Sequence, residues 1–343
     1  VGVWGVVSDA TGRRTPFIVA GALAGAVGYA ALAAVPTLGS LPFAGVLVIR
    51  VFQGAMTVGA FSLTMTMLMD LEGGHGRNMG AAGIAIGSGA ALGAPIGGQL
   101  TEIDPRAPLL VAAGLLVCVG LAVSRVDDRT PETRRTARAL VDGIRRQPTL
   151  SVPYAFGFVD RLTAGFFALV GTLYFQQQFG LGAGMTGLML ACFFAPFALL
   201  QYPMGALSDR IGRTIPIVVG SLCYGVGIIA VGAAPSVPTA AVAMVGVGVL
   251  GALVAPATMA LVSDLADASE RGLAMAGFNL AGSLGFLGGF ALGGTVAGRY
   301  GYDLAFLVVG GLEIAIAIVT VPIFLRLSLG ATHRVRSSDR GDA

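Results

Sequence analysis

There is no lysine in this chain. All 21 basic residues are arginine, set against 18 acidic ones, and only 11% of the 343 residues are charged. Soluble domains run at about 25% charged, so a large soluble enzyme is excluded: its surface could not be covered with ionic groups. Disorder is excluded as well, because it needs low hydrophobicity and high charge. A net charge of +3 with no basic face excludes nucleic-acid binding. Without lysine there is no P-loop G-x-x-x-x-G-K-[ST], and ATP-driven transport loses its motif. The arginine-only usage reads as codon bias of a GC-rich genome.

Histidine and cysteine are also scarce. His75 and His333 stand far apart, and neither an H-E-x-x-H nor a clustered Cys/His set occurs, so no metal site and no cofactor are expected. Cys118, Cys192 and Cys223 lie in apolar runs; their odd number excludes a disulfide framework, and small packing residues are expected there. No nucleophile–base set is present, so the chain is not expected to be an enzyme. Two G-x-G-x-x-G matches, Gly182/Gly184/Gly187 and Gly246/Gly248/Gly251, follow no strand of a βαβ unit and are rejected as a dinucleotide site.

Apolar sequence is what the chain has. Hydrophobic residues make up 55%, mean hydropathy is +0.83, and there are 53 glycines. Membrane helices need roughly 20 mostly apolar residues and tolerate glycine for close packing. Residues 1–7 read as the tail of one helix. Full spans are expected at about 15–35, 43–69, 79–100, 107–124, 152–176, 185–207, 214–234, 239–263, 273–297 and 303–326. Residue 1 is Val and no signal peptide is legible, so a chain truncated at its N-terminus is expected. With the loop at Arg13 and Arg14 placed in the cytoplasm, 17 of the 21 arginines fall on that side. Only Arg106 and Arg299 fall outside, while Arg50 and Arg161 lie within spans. That split satisfies the positive-inside rule. It sets the central loop and C-terminus in the cytoplasm and makes the inner (plasma) membrane the expected location.

The expected organisation is a helical bundle over 1–124, a cytoplasmic loop over 125–150, a second bundle over 151–327 and a cytoplasmic tail over 328–343. A short helix starting at Thr130-Pro131-Glu132 and stopping at Pro148 is expected in the loop. The two halves repeat. Gly5, Ser8, Asp9, Gly12, Arg13 and Pro16 recur 200 residues later as Gly205, Ser208, Asp209, Gly212, Arg213 and Pro216. Asp70, Arg77, Gly54 and Gly83 recur 194 residues later as Asp264, Arg271, Gly248 and Gly277. Parallel repeats joined by a loop mark a transporter.

These residues resemble the major facilitator superfamily along essentially the whole chain. The loop G-V-V-S-D-A-T-G-R-R (5–14) is similar to the family's G-x-L-A-D-R-x-G-R-[RK], and its copy at 205–213 is closer. The resemblance implies a conformational-switch role for Gly5, Asp9, Gly12, Arg13 and Asp70, with Gly205, Asp209, Gly212, Arg213 and Asp264 as the second set. Arg50, Gln53 and Gly54 resemble the R-x-x-Q-G of helix 4, which the family links to proton transfer. An arginine in mid-helix costs roughly 2.5–3.5 kcal/mol on insertion scales, so Arg50 needs a partner, a cavity or a reachable interface. Gly89, Gly93, Ala94, Pro95, Gly97 and Gly98 resemble the antiporter motif ending G-P-x-x-G-G, with Ala94 in place of glycine. Helix 11 keeps Gly285, Gly289 and Gly293 without a proline, an asymmetry that favours an antiporter.

The implied fold is all-α, two pseudo-symmetric six-helix bundles with helix 1 and most of helix 2 absent from this chain. The implied activity is secondary active transport of a small molecule by alternating access, most like the drug:proton antiporters, by a monomer in the lipid bilayer. An uptake symporter and a non-transporting sensor or scaffold are the alternatives. Asp160 and Arg161, ionisable residues within a span, are candidates for proton coupling, one facing inward and the other reaching the interface. Glu313, in mid-span of helix 12, is expected to make a structural hydrogen bond. Phe166, Phe167, Tyr174, Phe193, Phe194 and Phe197 either line an aromatic cavity or face lipid.

Overall fold

The computed structural model describes Trp4, Ser8 and residues 11–37, 41–70, 75–126, 128, 147–266 and 271–338. Of these, residues 69–70, 75–81, 271–273 and 324–338 are described by backbone only. No strand occurs among the described residues. The helices are α1 (Thr15–Ala34), α2 (Phe43–Asp70), α3 (His75–Ile103), α4 (Ala107–Val123), α5 (Ser151–Phe166), α6 (Thr172–Gln178), α7 (Ala183–Ile211), α8 (Thr214–Gly232), α9 (Val237–Leu265), α10 (Arg271–Gly288), α11 (Gly294–Tyr300) and α12 (Tyr302–Ser338). A π-helical turn, Phe167–Gly171, joins α5 to α6, and another, Gly289–Gly293, joins α10 to α11. Counting each joined pair once, the described helices number ten and fall on the ten expected spans.

Eight of them are long and apolar enough to cross a membrane. The exceptions are α3, rich in glycine and ending in Gln99, Thr101 and Glu102, and α4, which has 17 residues. Pro148 opens a turn, Pro148–Leu150, that runs into α5; the helix expected before it lies outside the described residues. α12 continues to Ser338, so the expected tail begins as helix.

The chain divides into two compact units. The first is Val1–Ala139 with Gly182–Leu188. Pro16 sits in the first turn of α1, where its missing N–H costs nothing. The Asp128 carboxylate accepts the N–H groups of Arg14 and Thr15 at 2.7 and 3.1 Å, satisfying donors that a helix start leaves open. Ile18, Ala60, Leu63 and Met67 pack α1 on α2. Glu102, in the last turn of α3, accepts the Gly184 N–H at 2.8 Å.

The second unit is Leu140–Leu181 with Met189–Ala343. Its core is aromatic: Phe166, Phe167, Tyr174, Phe193 and Phe306 are buried. Phe166 and Phe306 meet edge-on at 4.9 Å, and Phe167 stacks on Phe193 at 5.9 Å. Phe194 and Phe197 pack partly buried against this cluster. The aromatics expected to line a cavity or face lipid therefore form a closed core. Outward positions carry Leu199, Tyr202, Val242 and Val319, each more than two-thirds exposed, an apolar surface suited to lipid. Cys118 and Cys223 are exposed and Cys192 is half-buried, so two of the three thiols face outward rather than pack.

Candidate functional site

Three polar clusters interrupt the apolar helices. The first is on α2. Arg50 Nη1 donates to Gln53 Oε1 at 2.8 Å, and Gln53 Nε2 donates to the Thr57 hydroxyl at 3.2 Å. Spacings of three and four residues put these side chains on one helix face. The Arg50 guanidinium also lies 5.7 Å from the centre of the Tyr29 ring, a cation–π contact. Gln53 is 2% exposed, and a Cβ added at Gly28 would meet its stem, so glycine on α1 makes room for it. Arg50 itself is exposed and lines a shallow cleft with Leu32, Val35, Pro36, Val46 and Leu109. Its charge thus has both a hydrogen-bond partner and an aromatic face.

The second cluster is the loop between α7 and α8. Arg213 pairs with Asp209, and its Nε donates to Asp264 Oδ2 at 3.0 Å. Nη1 donates to the buried Ser208 hydroxyl at 3.1 Å. Gly212 turns the chain at φ 86° so that Arg213 can point back at α7. Partial burial works against the Arg213 charge, and the hydrogen bonds and charges of Asp264 and Asp209 outweigh it, leaving the guanidinium above its ordinary range. Gly205 is half-buried beside Pro256.

The matching loop before α1 has Gly12 at φ 65°, the same left-handed turn 200 residues earlier, with Arg13 exposed beside it. Gly5 and Asp9 lie outside the described residues, as do the side chains of Asp70 and Arg77. The loop pattern is thus present as backbone in both units and as a charge cluster in the second.

The third cluster lies inside the second unit. Asp160 and Arg161 on α5 are 3.9 Å apart. The Asp160 side chain is 15% exposed and that of Arg161 48%, so neighbours in sequence do point to different faces. One turn on, the buried Thr163 hydroxyl stands 3.2 Å from Glu313 Oε1 on α12.

The glycines of the antiporter-like motif, on α3, behave differently from one another. A Cβ at Gly89, Gly93 or Gly97 would meet nothing among the described residues, whereas at Gly98 it would strike the Ala183 carbonyl. Pro95 sits inside α3, and its Cα faces Gly187.

The Major Facilitator Superfamily profile matches residues 2–167 and again 153–341, one match for each half. The chain belongs to the major facilitator superfamily. Among its relatives, the uncharacterised MFS-type transporter MJ1560 of Methanocaldococcus jannaschii is 32% identical over 167 residues, covering 48% of this chain and 42% of that one. The uncharacterised MFS-type transporter YfkF of Bacillus subtilis is 25% identical over 177 residues, covering 47% and 43%. Each alignment thus spans less than half of the relative's length. Two solved structures share the fold. The human organic anion transporter MFSD10 (TETRAN) has a TM-score of 0.69 at 19% identity, covering 92% of this chain and 79% of its own. A D-xylose-proton symporter has a TM-score of 0.71 at 15% identity, covering 93% and 83%. As a member of this superfamily with eight apolar helices, the chain is an integral, multi-pass membrane protein.

Two features of this superfamily member escaped the sequence reading. Asp128 is one of several charges in a polar loop, and nothing in the sequence marks it as the cap of α1. The pairing of Thr163 with Glu313 joins residues 150 apart; the signal available was an acid in mid-span, without its partner.

Proposed function

We propose that this protein is a secondary active transporter that moves a small molecule across the membrane by alternating access of its two halves. In this reading it is coupled to protons and works in efflux, as a monomer in the plasma membrane with the central loop and C-terminus in the cytoplasm. The observation that carries it is the twofold family match, one per half, joined to a charged loop whose second copy gathers Arg213, Asp209 and Asp264. Exposed ion pairs of this kind are worth about 0–1 kcal/mol each, so they can form in one state and break in another. Arg50, Gln53, Asp160 and Arg161 are the groups proposed to couple the proton. The coupling can be no larger than the difference in affinity between the two states.

The neighbours of like fold include an organic anion transporter and a sugar–proton symporter, so fold does not select a direction. The antiporter-like motif on α3, Pro95 with its glycines, favours efflux. The test is accumulation of lipophilic cations in cells lacking their main efflux pumps, with and without a protonophore. Lower accumulation that the protonophore reverses is expected. No effect with the protein present in the membrane would overturn efflux and favour uptake. Arg50→Ala is expected to abolish proton-dependent transport, read as the protonophore-sensitive rate. Asp160→Asn is expected to flatten the pH profile of transport; an unchanged profile would remove Asp160 from the coupling set.

A further inference from the structure

Glu313 is 1% exposed and Thr163 is fully buried. The acid sits where α8 and α12 pack closely: a Cβ on Gly225 would lie 2.5 Å from the Gly310 carbonyl and 3.1 Å from the Glu313 Cβ. Among the described residues its hydrogen-bond partner is the Thr163 hydroxyl, and no cation contacts it. Arg161, on the same helix as Thr163, is directed to Asp160 and half-exposed. A charge buried without a pairing cation is costly.

The Thr163 hydroxyl decides what the carboxyl can be. It carries one hydrogen but stands 3.2 Å from two acceptors, the Val159 carbonyl and Glu313 Oε1. When that hydrogen goes to Val159, Glu313 must supply its own, and only a protonated carboxyl has one. When it turns to Glu313, an ionised carboxylate gains a donor. The same heavy atoms serve both states by rotation of one hydroxyl, so a proton can arrive and leave without repacking.

The titratable groups within electrostatic reach of Glu313 are Asp160 from α5 and Tyr224 from α8, and Arg161 from α5 acts on those two. Asp160 lies one turn before Thr163 on the same face of α5 and retains 15% exposure. It is the more exposed end of the cluster, and Glu313 is the buried end.

We propose that Glu313 is a buried proton-binding site of the second unit, served by the Thr163 hydroxyl and reached through Asp160. This deepens the proton-coupled reading above and rests on it for its role in transport. In loading, an O–H bond to Asp160 breaks and an O–H bond to Glu313 forms, while Asp160 is reprotonated from the aqueous side. No oxidant or cofactor takes part.

The test is infrared difference spectroscopy of the full chain in lipid vesicles, following the C=O band of a protonated carboxyl as pH is stepped. Wild type should show a band that falls as pH rises and exchanges in heavy water. Glu313→Gln, which keeps a donor toward Thr163, should lose the band. Asp160→Asn should keep the band and slow its exchange. The same band in Glu313→Gln, or one insensitive to pH while the protein stays folded, would overturn the site. Should Glu313→Gln fail to fold, Thr163→Val reads the same contact: removing the hydroxyl should shift the band, and an unshifted band overturns the proposal. Protonophore-sensitive transport without the band would sink the site and spare the function. A titrating band with proton-independent transport would do the reverse.

Discussion

Gly285, Gly289 and Gly293 and Gly89, Gly93 and Gly97 are two copies of one pattern, 196 residues apart, with members at every fourth residue. In the second unit the pattern is filled. A Cβ at Gly285 would strike the Phe158 carbonyl, at Gly289 the Leu162 carbonyl and at Gly293 the Phe166 ring. In the first unit the same three positions face open space among the described residues. Gly248 and its counterpart Gly54 repeat the contrast: a Cβ at Gly248 would strike Phe193 and Pro196, while one at Gly54 would meet nothing among the described residues. Small residues let two backbones approach, which matters in lipid, where packing replaces the hydrophobic drive. They do not bring the second backbone. In the second unit α5 brings it.

The filled seam also explains the π-helical turns. Phe167–Gly171 and Gly289–Gly293 stand against each other where the glycines are densest. The Thr172 hydroxyl donates to the Ala168 carbonyl at 3.1 Å, bonding an acceptor within the turn. Such turns re-aim a helix without ending it. The largest effect is expected here. Gly289→Leu has no space to enter without moving the α5 backbone, and overpacking costs roughly 1–3 kcal/mol or more. Thermal unfolding in detergent should show a large loss, or no folded protein. A loss no greater than that of Gly93→Leu would break the comparison.

The charged loops sharpen it at smaller scale. Arg213→Ala removes two ion pairs whose carboxylates are half or more exposed, Asp209 at 64% and Asp264 at 52%. Screening limits the loss to about 1 kcal/mol or less, and added salt should shrink it further. The sign with pH follows from the raised guanidinium. Stability from a raised group is present below its unfolded value and is lost only as pH climbs through the folded one. The Arg213 side of the network is therefore constant through neutral pH. A melting difference between wild type and Arg213→Ala that disappears at 1 M salt is expected; one that salt leaves intact would place the pair in a drier setting.

Much of the fold was legible because lipid imposes a single rule: long apolar runs must be helices. Ten runs became ten helices, and the loop repeat was legible down to paired left-handed glycines, Gly12 and Gly212. The aromatic cluster was not. Whether Phe166, Phe167 and Phe193 face lipid, a cavity or one another depends on helix rotation, which a run of uniformly apolar residues does not encode. The site was legible where chemistry is local, as in Arg50–Gln53 at three residues' spacing. It was hidden where partners are remote, as for Thr163 and Glu313. Composition marked Glu313 as costly, and only the packing of α5 against α12 says what meets that cost.

Gly93→Ala is expected to give the smallest effect, and with the opposite sign. Glycine in a helix interior is less favourable than alanine by about 0.8–1 kcal/mol in aqueous hosts. Among the described residues nothing stands within 4 Å of the added methyl, so none of them opposes that gain. Gly289→Ala carries the same propensity gain, but its methyl meets the Leu162 carbonyl, and the clash should reverse the sign. Melting temperatures of the two variants, measured against wild type in the same detergent, should therefore move in opposite directions. Should Gly93→Ala instead lower stability as much as Gly289→Ala, the α3 face is occupied in the protein as purified. The contrast between the units would then lie in what covers each face, and a second copy of the chain, detectable by its mass in detergent, would be the first occupant to look for.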